Sequence, residues 1–230
     1  LDWAPPPETR TGREDRRELN RDRAELTQGD IANLRGRYAE EVWGTDREVG
    51  RLLETLPPET WLVVTSDHGE QIFHHGWMGH IATLREDLVR VPLLVRAPGL
   101  TPGRSARVTS HVELSQALFS RDPAPLTRAS EGPIFVEVDY FERAEQDPED
   151  PEDSHQLGVV RGWDKQIWDR VDGQQARFDL QSDPAEERPL PPDAELTATL
   201  QAFAATSGGH AVQAEGEDVQ EALRALGYVD

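Results

Sequence analysis

The chain has 230 residues with 44 acidic side chains against 24 basic, a formal net charge of −20. That charge argues against nucleic acid or an anionic membrane surface as partner. It holds no cysteine, which excludes disulfides and thiolate metal sites but leaves the redox compartment open.

A chain of this length can bury one good core, or a core plus a small subdomain. No apolar run approaches the roughly 20 residues of a membrane span, and no secretory leader can be read at Leu1. Residues 1 to 26 are proline-rich and then rich in Arg, Glu and Asp. Such a segment lacks the apolar surface to fold alone and is expected as a wrapping arm or short helix. Thr27 and Asp30 have the spacing of a capping box. Ile31, Leu34, Tyr38, Val42, Val49, Leu52, Leu53 and Leu56 follow at helical spacing, which predicts a helix to about residue 56. Pro57-Pro58 stops it.

Trp61 to Ser66 is apolar almost throughout, the pattern of a strand buried on both faces by helices. A helix around 81 to 88 and a second dense strand, Val91 to Val95, then complete an α/β repeat. Val108 to Phe119 reads as a short strand edge and a helix, and Asp122 to Pro125 as a linker. From Gly132 the texture changes. Pro133 to Tyr140, Gln156 to Arg161, Lys165 to Val171 and Gln175 to Leu180 read as strands separated by turn signals such as Asp172-Gly173. They predict an antiparallel sheet covered by helices at about 193 to 205 and 216 to 226. Glu142 to Asp153 is expected as a solvated acidic loop. The expected division is an α/β core over 1–128 and an antiparallel-sheet subdomain with helices over 129–230.

The chemistry concentrates where the first strand ends. Asp67 and His68 set a carboxylate beside an imidazole at its carboxyl end, where open α/β sheets hold their ligands. An isolated Asp-His-Gly fits a capped turn equally well. Here it leads into a loop carrying His74, His75 and His80, and on that context Asp67 and His68 read as metal ligands. Glu70 is expected to accept hydrogen bonds from the backbone or a histidine. Arg90 and Arg96 are expected to pair with acidic neighbours, and His111 to cap or pack at a helix start.

Ser66-Asp67-His68-Gly69-Glu70, the loop through His75-Gly76 and Gly79-His80, the acidic Glu86-Asp87, and Arg90-Val91-Pro92-Leu93 with Pro98-Gly99 follow one another in an order that resembles the sulfatase branch of the alkaline-phosphatase-like superfamily. Ser110 to Leu114, Arg177 to Leu180 with Asp183-Pro184-Ala185-Glu186, and Leu223 to Val229 resemble further family segments, so the similarity spans most of residues 27 to 229. It implies a partial alkaline-phosphatase-like sheet flanked by helices, plus a small α+β subdomain. It also implies a divalent metal, calcium first and manganese or zinc in the phosphoryl branch, held by Asp67 and His68.

In related enzymes a lysine contacts the ester oxygens at the position of His80. His80 is therefore expected to bind substrate and to act as general acid, with His75 a second substrate contact. The family nucleophile is a formylglycine made from Cys or Ser in Cys/Ser-x-Pro-x-Arg, and this chain contains no such motif. The reading is then the carboxy-terminal portion of a sulfate-ester hydrolase, inactive without its front half, with the bacterial envelope as the place the resemblance implies. The alternatives are a phosphodiesterase, phosphonate hydrolase or phosphoglycerol transferase of the same superfamily, or a non-catalytic binding module.

Overall fold

The computed structural model describes residues 19–20, 22–80, 83–128, 132–140 and 154–206. Most of the expected arm, the acidic loop of 142–153 and the helix at about 216–226 lie outside the described residues.

Helix α1 spans Gln28–Thr55. Its start is the capping box read from the sequence: the Asp30 N–H donates to Thr27 Oγ1 at 3.2 Å, and the Thr27 N–H donates to the Asp30 carboxylate at 2.9 Å. These bonds satisfy donors that a helix start otherwise leaves open. Leu56 is already extended, as a residue before proline prefers. None of the 28 residues is buried, and Tyr38, Val42, Trp43 and Leu52 stay exposed. Ile31, Leu34, Val49 and Leu53 are half-buried, so the apolar stripe is only partly covered among the described residues.

Strand β1, Leu62–Val64, pairs antiparallel with β4, Leu94–Arg96, Val63 standing opposite Val95. Two expectations are corrected here. All three β1 residues are only half-buried, so among the described residues helices do not cover the strand on both faces. The helix expected around 81 to 88 is the single turn α2, Glu86–Val89. The chain between the two strands forms a small hairpin and this one turn, and returns antiparallel. Among the described residues Arg96 pairs with no acid: its guanidinium donates to the Thr60 and Pro57 carbonyls at 3.4 and 3.2 Å.

Between β1 and α2, β2 (Gln71–Ile72) and β3 (Met78–Gly79) form a small hairpin. Helix α3, His111–Ser120, begins at the Ser110–Glu113 capping box. His111 is its first residue. No strand precedes it, and the expected linker contains a one-turn helix, α4, Ala124–Thr127.

The antiparallel sheet follows the sequence reading closely. It runs β5 (Ile134–Tyr140), β6 (Ser154–Arg161), β7 (Asp164–Asp169), β8 (Gln175–Asp179) in that order. Period-2 alternation gives it two apolar faces. Leu157 and Val159 pack on Leu196 and Leu200 of helix α5, Ala194–Thr206. The opposite face joins Val160, Ile167, Phe178 and Leu180 to Leu84, with Val89 and Val108 packed against them. Gly158 lets Leu84 come close, since a Cβ there would lie 2.6 Å from Val136 Cγ2 and 3.2 Å from Leu84 Cδ1. The segment that follows the histidine hairpin is therefore fastened to the sheet. No helix among the described residues is long and apolar enough to cross a membrane.

Candidate active site

Asp67 emerges just beyond β1, and its carboxylate is organised locally. The His68 N–H donates to Asp67 Oδ1 at 2.9 Å, and the Ser66 hydroxyl reaches the same oxygen at 3.3 Å and the His68 carbonyl at 2.7 Å. The His68 N–H bond lowers the Asp67 pKa below the ordinary carboxylate value, outweighing the opposing effect of burial. Asp67 is therefore anionic at neutral pH.

The His68 ring is turned by its own backbone. Nδ1 lies 2.8 Å from the Gly69 carbonyl, which can only accept, so Nδ1 is the donor there. Nε2, the ring's other nitrogen and its ligand atom whenever the imidazole is neutral, sits 3.7 Å from Asp67 Oδ2. Two donor atoms at this separation can share one cation at ligand distances of roughly 2.0–2.6 Å. The donor chemistry fits a divalent ion as part of its shell. Among the described residues no group of three or more His, Asp or Glu completes such a shell, and calcium takes about six to eight oxygen ligands.

His80 returns to this point from the far end of the hairpin. Its ring centroid is 4.7 Å from that of His68, and its Nδ1 is 3.4 Å from Glu70 Oε2. Asp67, His68, Glu70 and His80 thus form one contiguous group, open to solvent: the His68 and His80 side chains are about half exposed. His75 stands apart. It is half-buried in the β2–β3 turn, and no hydrogen bond, ion pair or ring contact joins it to this group among the described residues. His74 is exposed in the same turn.

The turn itself is braced rather than loose. The Phe73 N–H donates to the Trp77 carbonyl at 2.8 Å, with Phe73 at a φ of 57° and Gly76 at 86°. The buried Asn20 amide donates to the Met78 carbonyl and accepts the Met78 N–H, at 2.9 and 2.8 Å. Arg35 of α1 donates to the Ile72 carbonyl at 2.9 Å, and the Arg23 guanidinium lies over the Trp77 ring. Sequence reasoning missed Asn20 and Arg35. Each is an ordinary polar residue in sequence, and only the fold brings it to the hairpin.

Gly69 seats the site on α2. Its N–H donates to the Leu88 carbonyl at 2.7 Å, and a Cβ at this position would stand 2.0 Å from the Asp87 carbonyl oxygen. Only glycine allows that approach.

Comparison with known proteins gives the same outline. The family model for sulfatases matches residues 4–121, just over half of the chain. A choline-sulfatase of Rhizobium meliloti (strain 1021) is 26% identical over 212 residues, covering 81% of this chain and 39% of that protein. An uncharacterized sulfatase of Escherichia coli (strain K12), YidJ, is 34% identical over 79 residues, 33% of this chain and 16% of that protein. Among solved structures, a phosphonate monoester hydrolase from Silicibacter pomeroyi superposes with a TM-score of 0.60 at 22% identity, over 78% of this chain and 41% of its own. A 2-O GAG sulfatase superposes with a TM-score of 0.54 at 16% identity, over 77% and 42%. The chain spans about two fifths of these two structures and of the choline-sulfatase.

Proposed function

Because this chain belongs to the sulfatase family and has its alkaline-phosphatase-like fold, we propose that it supplies the Asp67–His68 metal end and the His80 ester contact of a metal-dependent hydrolase of sulfate esters. The observation that carries this reading is the meeting of His80 with His68 and Glu70 beside Asp67. A divalent cation, calcium in the sulfatase reading, would be held by Asp67 Oδ2 and His68 Nε2 and would neutralise charge developing on the ester oxygens.

The chain's own groups divide the remaining tasks. Asp67 contributes a permanent negative charge. Glu70 accepts from His80 Nδ1 and fixes the ring plane, leaving Nε2 to donate to an ester oxygen or to protonate the leaving oxygen. His75, at the turn of the hairpin, is the outer substrate contact. The nucleophile, a formylglycine in this reading, belongs to sequence beyond these 230 residues, which hold no cysteine and no Cys/Ser-x-Pro-x-Arg motif. The bacterial envelope is the proposed setting.

A second reading rests on the imidazole at position 68. A nitrogen donor suits manganese or zinc better than calcium, and that favours a phosphoryl or phosphonyl ester as substrate. Both readings are tested on the full-length protein with aryl sulfate and aryl phosphodiester substrates, with and without chelator. His80→Ala is expected to lower kcat/KM on the preferred ester by about 10²–10⁴-fold, and Asp67→Asn to abolish the response to added metal. Turnover that ignores both the chelator and His80→Ala would overturn the assignment, and a chain inert on either ester would favour a binding role.

A further inference from the structure

Lys165 is the chain's single lysine and is fully buried, though an ammonium group is costly to strip of water. It stands on β7 opposite Val160 of β6 and Phe178 of β8, on the apolar face that packs against Leu84. Its Nζ is 2.7 Å from Glu86 Oε1 and 2.9 Å from Glu186 Oε1. Glu186 accepts the Glu86 N–H at 2.8 Å through its other oxygen. It so caps α2 from 100 residues away, where Arg85 at the N-cap offers no side-chain bond. Arg85 closes the group by donating to the Glu186 carbonyl at 3.2 Å and laying its guanidinium over the Phe178 ring. Two cations and two carboxylates thus join α2 to the sheet.

The later residues of α2 carry the site. The Leu88 carbonyl receives the Gly69 N–H, and Asp87 Oδ1 receives the Gln71 amide at 3.3 Å. A helix of four residues has almost no stability of its own, so its position is set by what grips it. The grip is the buried charge group at Glu86, and the load is Gly69 at Asp87 and Leu88.

We propose that Lys165 is a positioning residue for the Asp67–His68 site. Through Glu86 and Glu186 it fixes the single helical turn on which Gly69 is seated, and so the separation of Asp67 Oδ2 from His68 Nε2. The functional half of this inference rests on the reading of those two residues as metal ligands; the structural half stands without it.

The test is site-resolved amide hydrogen exchange on the full chain carrying Lys165→Met, which keeps the side-chain length and removes the charge, together with titration of manganese and calcium ions. The Gly69 amide is expected to exchange at least tenfold faster, while the Leu157 and Val159 amides of β6 change less than twofold. The manganese dissociation constant is expected to rise at least fivefold. Gly69 unchanged, or Gly69 and β6 loosening together as in a general loss of stability, would overturn the proposal. Should Lys165→Met fail to fold, Glu86→Gln keeps the shape of the group and is expected to loosen Gly69 in the same order by a smaller factor. A wild-type chain that takes up neither ion would sink the metal reading, while the exchange pattern alone decides the positioning.

Discussion

Gly69 shows how little room the site loop has. A methyl group there meets a backbone carbonyl, not a yielding side-chain end, and either the loop or α2 must move. Gly69→Ala is expected to destabilise the chain by about 1–3 kcal/mol, read as a lower midpoint in urea unfolding, and to draw His68 away from His80. The placement of Asp67 and His68 just past a strand was legible in sequence because a dense apolar run leads straight into them, and strand ends are where such folds keep ligands. His80 was legible only through the family pattern. Its partner Glu70 lies ten residues away, and nothing in the spacing says that a hairpin returns it. Glu186 was legible as part of a turn. Its reach to Lys165 and to the start of α2 was not, since the backbone there takes a φ of 54° that no periodicity announces.

Among the elements, α1 is the one whose start was read to the residue, because a capping box is a local device written in four positions. Thr27→Ala removes the side-chain acceptor for the Asp30 N–H and is expected to cost about 1 kcal/mol, measured as a lower thermal midpoint with little change in native helix content. The four-stranded sheet was legible for the same reason at longer range: alternating residues and polar turns give strand limits that differ from the structure by one or two residues. The β1–β4 pair was legible only as two apolar runs. Apolarity reports burial, not direction, so the antiparallel pairing and the shrinkage of the helix between them to one turn could not be read.

At the scale of the whole molecule, the acidic composition is partly tied down by structure. Among the described residues five aspartates are held below the ordinary carboxylate value. Asp30 is held by the Thr27 hydroxyl, Asp67 by the His68 N–H, Asp179 by the Ser182 hydroxyl and Asp193 by the Leu196 N–H. Asp183 is pushed up by burial, but the N–H groups of Arg188 and Glu187 outweigh that. Each binds its proton less readily folded than unfolded. Each therefore stabilises the fold fully above the unfolded value of about 4, and that contribution is lost as pH falls through the lower folded value. Unfolding free energy, followed by fluorescence of the six tryptophans, is expected to fall steeply below about pH 4, and a flat profile there would contradict the assignment.

The capping of α2 by Glu186 also orders events in time. A ribosome delivers the chain from its amino end, so Asp67 and His68 emerge long before the residues that seat them. At synthesis rates of about 5–20 residues per second, the interval to Glu186 is roughly 6–24 s. Through it the loop of Asp67 and His68 has no fixed geometry. The proposed site therefore has no fixed seat on a nascent chain until its carboxy-terminal sheet has formed, and a truncated product ending before Glu186 should carry Asp67, His68 and His80 and still fail to hold them in place.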